Sequence, residues 1–186
     1  MQQPIVISGA GILGCYISCA LSLQGIDSIV LEKKDDEVED SVRTITLNPF
    51  SKNLLDKIGI ENDYSMINKM EVKDFDGTGK IVFKSSEIGM DHLAYVSDFA
   101  TLLMAVRKKA SEKILYKEEI IDIDNKGDLN EVTLSSGKVI KTNLIISSDG
   151  KNSKLANKIP KSDTDYFQTA LTFLASAEKD MNMSAF

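Results

Sequence analysis

The sequence predicts an α/β fold built on a parallel sheet, with a small antiparallel β-meander inserted into it. Three observations carry this. Residues 4–32 read as strand, helix, strand; a further apolar strand returns at 142–148; and short strands separated by turn signals fill 114–141.

Each element follows from its residues. Ile5 to Ser8 is an apolar run rich in β-branched residues, long enough for one buried strand of a parallel sheet. Glycines follow at Gly9, Gly11 and Gly14. A helical pattern then runs from 12 to about 24, with Ile12, Leu13, Tyr16, Cys19, Ala20 and Leu23 near one face. Gly25 is a natural stop. A second apolar strand, Ser28 to Leu31, ends in an acid, Glu32.

The spacing Gly9-x-Gly11-x-x-Gly14, set between a strand and a helix, is a dinucleotide-binding fingerprint. Gly9 allows the tight turn, Gly11 lets the backbone approach a pyrophosphate, and Gly14 lets the helix lie against the strand. The helix N-terminus presents free N–H groups and a partial positive charge to phosphates. Ala10, Ile12 and Leu13 belong to the same turn and count with it as binding positions. Glu32 lies about 20 residues on, where a carboxylate accepts hydrogen bonds from ribose hydroxyls. The plainer alternative is a Gly-rich turn in another kind of βαβ unit, and Glu32 argues against it.

Composition sets bounds. A chain of 186 residues holds one domain, or one and a fraction. A net charge of −6 and a pI near 4.9, with no basic cluster, argue against nucleic acid as a partner. No Lys or Arg precedes the first apolar run, so it does not read as a signal peptide. No other stretch approaches the roughly 20 apolar residues of a membrane span. Cys15 and Cys19 sit one turn apart, and buried packing is the expected role. These features point to a cytoplasmic protein and leave peripheral membrane association open.

Residues 33–42 form a charged loop. Arg43-Thr44-Ile45-Thr46-Leu47 is a short strand halted by Asn48-Pro49, and a helix follows over 49–58 with Phe50, Leu54, Leu55 and Ile58 inward. Residues 70–75 and 80–84 read as a hairpin around Asp76-Gly77-Thr78-Gly79. The lone histidine, His92, lacks a nucleophile or ligand cluster and reads as structural, so neither a catalytic triad nor a metal site is expected. Asp98 is placed to cap a helix over 99–113, with Leu102, Leu103, Val106 and Ala110 inward. Four strands follow, at 114–117, 119–124, 131–135 and 138–141, read together as the meander. The strand at 142–148 ends at Asp149-Gly150, on the carboxyl edge where open α/β sheets hold ligands. Residues 166–175 are strand-like and apolar.

Taken together, Gly9-x-Gly11-x-x-Gly14 with Glu32, Arg43-Thr-Ile-Thr-Leu-Asn48, the loop from Ser148 to Ser153 and Gln168-Thr169-Ala170 resemble the N-terminal half of the ubiquinone-biosynthesis hydroxylases. These are FAD-dependent monooxygenases of the para-hydroxybenzoate hydroxylase fold. The resemblance implies a Rossmann-like FAD-binding domain over 1–165, a hairpin at 69–92 contributing to a substrate domain, and a truncated start of that β-rich domain at 166–186. It implies that Gly9, Gly11 and Gly14 hold the FAD pyrophosphate, Glu32 the adenosine ribose, Arg43 the flavin cofactor, and Asp149 and Gly150 both FAD and NAD(P)H. The implied reaction is hydroxylation of an aromatic, polyprenyl-phenol-like ring with NAD(P)H and O2, the cofactor carrying the chemistry. No residue is assigned a catalytic role. Family members are about twice as long, so a separate C-terminal half and a non-catalytic remnant remain as alternatives; a plain NAD-binding dehydrogenase domain is another, because Glu32 also suits the ribose of NAD.

Overall fold

A computed structural model describes residues 3–38, 42–73, 77–150, 153, 155, 164–169 and 183–185. In chain order the elements are β1 (Ile5–Ser8), α1 (Ile12–Leu23), β2 (Ser28–Glu32), β3 (Thr44–Leu47), α2 (Pro49–Lys57), β4 (Ser65–Ile67) and β5 (Lys69–Lys73). Then come β6 (Lys80–Lys84), β7 (Ala94–Asp98), α3 (Phe99–Ala110), β8 (Ile114–Tyr116), β9 (Ile120–Asn125), β10 (Asn130–Leu134), β11 (Val139–Thr142), β12 (Ile145–Ser147) and β13 (Ser184–Ala185). The chain divides into two units, residues 1–39 with 103–169 and residues 40–102 with 170–186.

The first unit carries a parallel sheet in the order β12-β1-β2-β8. Val6 stands beside Ile29 on one side and Ile145 on the other, so β1 is paired along both edges. The expected meander loses its first strand to this sheet. β8 pairs in parallel with β2, Val30 opposite Ile114, and only β9, β10 and β11 form the antiparallel meander. The reason is burial: Ile114 is 8% exposed and extends the apolar sheet. The meander's inner residues Ile120, Val132, Leu134 and Ile140 join Val6 and Leu31 in one apolar cluster. Each such side chain contributes about 1.5–3 kcal/mol when fully buried.

The expected strand over 142–148 is split. Thr142 ends β11, and its Oγ1 donates to the Leu144 carbonyl at 2.8 Å and accepts the Leu144 N–H at 3.2 Å. This local bonding breaks the ladder, and β12 begins only at Ile145.

The inward face of α1 also differs from the periodicity. Leu13 and Leu23 are exposed, and the buried residues are Gly14, Cys15, Ser18 and Cys19. The helix lies so close to the strands that only small side chains fit between them. Ser18 Oγ and Ser28 Oγ, 2.8 Å apart, tie it to β2. Burial pushes the Cys15 thiol up to about 12 and raises Cys19 as well, so both stay protonated and inert at neutral pH.

In the second unit, β3 and β4 flank β7 in an antiparallel sheet. Asn48 Oδ1 accepts the Ser51 N–H at 2.7 Å and caps α2, with Pro49 in its first turn. Phe50, expected inward, is exposed, and burial begins only farther along, at Leu55 in the second turn of α2 and at Ile58 just past its end. The His92 Nδ1 hydrogen-bonds Asn68 Oδ1 and its ring stands edge-on to Tyr95, the structural role expected of it. Asp98 Oδ1 accepts the N–H and hydroxyl of Thr101, both at 2.7 Å, as a cap of α3. The helix stops at Ala110, and Ser111–Lys113 continues as a tight 3-10 turn.

The hairpin forms as expected from β5 and β6, with Met70 opposite Phe83 and Val72 opposite Ile81. Residues 74–76 of its turn lie outside the described residues, as do 151, 152 and 170–175. Residues 166–169 carry no strand: none pairs with them among the described residues, and without a ladder a strand-like sequence does not become a strand.

Glu71 of β5 is buried amid Lys80, Lys73 and Lys69, whose Nζ atoms lie 2.9, 3.1 and 3.3 Å from its carboxylate. Their bonds, that of Lys80 foremost, hold the carboxyl down at about 2 against an ordinary 4.5. A carboxyl depressed on folding stabilises fully above pH 4.5, and that stabilisation is lost as pH falls from 4.5 through 2. Urea midpoints at pH 7 and pH 3 are therefore expected to differ more for the native chain than for Glu71→Gln. Equal acid sensitivity of the two would refute the role of this cluster.

Candidate functional site

A cleft of about 290 Å³ opens in the first unit at the carboxyl ends of β1, β2 and β12. Ser8, Gly9, Gly11, Glu32, Arg107, Asp149 and Gly150 are among the residues lining it. From β1 the chain runs through α1 to β2 on one side, while β12 returns on the other. The cleft thus sits at the point where strand order reverses, the usual ligand position in open α/β sheets.

The three glycines have three separate reasons. Gly9 has φ +101, and a Cβ there would fall 2.7 Å from Asp149 Cα. A Cβ on Gly14 would stand 2.0 Å from the Gly9 carbonyl oxygen and 2.6 Å from Ser148 Oγ. Protein packing explains both. Gly11 is different: its φ is −74, and a Cβ would meet no atom within 4 Å. The space it leaves open is cleft. Gly11 is also the N-cap of α1 and brings no side-chain cap to the first-turn N–H groups, those of Ile12 and Leu13 included.

Glu32 closes the other end. Its Oε2 accepts the Ala10 N–H at 3.1 Å and Arg107 Nη2 at 3.4 Å, and its Oε1 accepts the Lys34 N–H at 3.1 Å. A carboxylate has about four acceptor positions. Three are engaged by donors among the described residues.

On the third side, Ser147 Oγ donates to Asp149 Oδ1 at 2.7 Å, fixing that carboxylate at the rim. Ser148 Oγ lies 2.9 Å from the Ser8 carbonyl and 3.0 Å from that of Gly9, riveting the end of β12 to the glycine turn. Gly150 follows with φ +80. Gly9, Gly11, Glu32, Asp149 and Gly150 therefore line one cleft, and Ala10 and Gly14 are bonded or packed to its walls. Arg43 belongs to the second unit, where its guanidinium carbon stands 4.1 Å from the Phe99 ring centre.

Arg107 escaped the sequence reading, and Ser148 entered it only as part of its loop, with no role of its own. Arg107 was visible in principle, because it lies four residues after Leu103 and three before Ala110, on the inward stripe of α3. A cation there needs a buried partner.

A protein-family model described as "FAD binding domain" matches residues 2–183. The chain belongs to this family. Among curated proteins, the FAD-binding chain is 26% identical over 197 residues to the ubiquinone biosynthesis monooxygenase COQ6, mitochondrial, of Danio rerio, covering 90% of this chain and 40% of that protein. It is 26% identical over 170 residues to 3-demethoxyubiquinol 3-hydroxylase of Escherichia coli (strain K12), covering 83% and 43%. The chain thus spans about two fifths of the length of these relatives. The solved structure of pqsL from Pseudomonas aeruginosa, described as a probable FAD-dependent monooxygenase, shares the fold at a TM-score of 0.73 and 19% identity, covering 89% of this chain and 48% of that one.

The residues present suit the adenylate end of FAD. The opening at Gly11 would take the pyrophosphate and Glu32 would accept a ribose hydroxyl, and Arg107 Nη1 is a buried donor with no partner among the described residues. No helix among the described residues is long and apolar enough to cross a membrane.

Proposed function

We propose that this FAD-binding chain serves an aromatic-ring hydroxylase of the ubiquinone-biosynthesis type. The observation that carries the reading is the convergence of the glycine turn, Glu32 and Asp149 on one cleft at the strand-order reversal. The names of its curated relatives support ubiquinone chemistry and so a polyprenyl-phenol-like ring as substrate. When bound, FAD supplies the redox chemistry that inserts oxygen, with NAD(P)H as reductant and O2 as oxidant. The residues of this chain hold the cofactors: Gly9, Ala10, Gly11, Ile12, Leu13 and Gly14 at the pyrophosphate, Glu32 at the ribose, Arg43 at the flavin cofactor, and Asp149 and Gly150 at both FAD and NAD(P)H. In this reading residues 1–165 form the cofactor domain, and the hairpin at 69–92 and residues 166–186 contribute to a substrate domain. A further segment, on this chain or another, completes the ring-binding half, and a polyprenyl substrate brings the protein to a membrane surface.

The deciding experiment is a flavin titration. The purified chain is expected to retain FAD with visible absorbance and to bind NAD more weakly. Tight NAD binding without flavin would instead mark a dehydrogenase domain, and binding of neither a non-catalytic remnant. Glu32→Ala is expected to weaken FAD binding by about 1–3 kcal/mol, the cost of leaving polar partners unpaired. Flavin-fluorescence quenching measures it, and an unchanged affinity would count against the assignment of Glu32.

A further inference from the structure

Resting on the adenosine-site reading above, we propose that Arg107 is the positioning residue that sets Glu32 and the glycine turn for the ribose. It also supplies the buried positive charge of an acidic cleft. Its Nε donates to the Ala10 carbonyl at 2.9 Å while its Nη2 reaches Glu32 Oε2 at 3.4 Å. Ala10 in turn donates its N–H to the same Glu32 oxygen at 3.1 Å. One planar group therefore locks the turn after β1 to the end of β2, so the carboxylate cannot swing without disturbing the phosphate turn. The side chains of Arg107 and Glu32 are 11% and 13% exposed, which shields the pair from solvent screening. The guanidinium also stands 5.7 Å from the Tyr116 ring centre, within cation–π reach.

Two further observations point the same way. Of the 22 Lys and Arg residues in the chain only Arg43 and Arg107 are arginine, so where a simple cation suffices this sequence uses lysine. Position 107 needs the fork, which reaches two acceptors at once as an ammonium point charge does not. The cleft lining carries Glu32, Glu118, Glu119 and Asp149 against Lys33 and Arg107. A diphosphate entering among these carboxylates depends on the nearby cation, and Nη1, without a partner among the described residues, leaves donor capacity in reserve.

The test compares native chain, Arg107→Met, Arg107→Lys, Glu32→Gln and the Glu32→Gln/Arg107→Met double variant by calorimetric titration with FAD and ADP-ribose. Thermal unfolding of each ligand-free protein is recorded alongside. Arg107→Met is expected to weaken both ligands by about 30-fold, the loss of charge-assisted bonds. Arg107→Lys should recover only part of that, and the double variant should lose less than the product of the single losses. Native affinity in Arg107→Met, full recovery in Arg107→Lys, or independent multiplication of the losses would each overturn the proposal. If Arg107→Met fails to fold, Arg107→Lys decides: an affinity equal to that of the native chain overturns it, and a weakened one with an unchanged unfolding midpoint supports it. A native chain that binds neither ligand removes the adenosine-site reading itself. That result is distinct from a native chain that binds both and is indifferent to Arg107.

Discussion

Gly14→Ala is expected to cost about 3 kcal/mol or more of folding stability, a large share of the roughly 5–15 kcal/mol typical of a domain. The added methyl would stand 2.0 Å from the Gly9 carbonyl oxygen. Real contacts of this kind begin above 3 Å, so α1 must move outward by about 1 Å across a close-packed interface, losing dispersion contacts along its length. The second clash, 2.6 Å from Ser148 Oγ, involves a hydroxyl already engaged with the carbonyls of Ser8 and Gly9. Removing that hydroxyl is no remedy, because the backbone oxygen stays. Ser148→Ala introduced beside Gly14→Ala is thus expected to leave the double variant destabilised. Urea denaturation followed by circular dichroism measures both, and a native midpoint in Gly14→Ala would show that the helix does not lie where it is described.

Gly11→Val should do the opposite: leave the ligand-free fold intact and abolish dinucleotide binding. The backbone at Gly11, φ −74 and ψ 178, suits any residue, and a Cβ meets no protein atom within 4 Å. Its stability is expected to stay within about 1 kcal/mol of native, with a small gain where the glycine-rich unfolded chain loses freedom. The valine side chain would instead occupy the space beside the α1 N-terminus that a pyrophosphate needs. FAD affinity should fall by at least about 100-fold, near 2.8 kcal/mol. The paired measurement is thermal unfolding without ligand and flavin titration with it. Retained FAD binding, or collapse of the ligand-free protein, would contradict the role given to Gly11.

The contrast between these two glycines shows how far local spacing carries. The same residue type in the same motif answers in one case to the turn after β1 and in the other opens onto the cleft. Only the tertiary structure separates the two. The face of α1 makes a related point. Periodicity favours the large side chains Leu13 and Leu23, yet Gly14, Cys15, Ser18 and Cys19 are buried, because the approach of helix to strand leaves room only for small ones. Hydrophobic size predicts burial where elements stand at ordinary separation, and fails where a glycine contact draws them closer.

The sequence by itself determined the strand, turn, helix, strand and carboxylate of the opening segment. Each depends on residues within one or two turns of chain: β-branched runs, glycine spacing and an acid at a strand end. The hairpin of β5 and β6 and the cap Asp98 were legible for the same reason. The tertiary structure alone decided that β8 leaves the meander to pair with β2, and that Arg107 meets Glu32 across 75 residues. Strand partners and buried ion pairs are chosen by competition among distant segments for apolar cover and for hydrogen-bond partners. A pattern of neighbours along the chain records none of that competition.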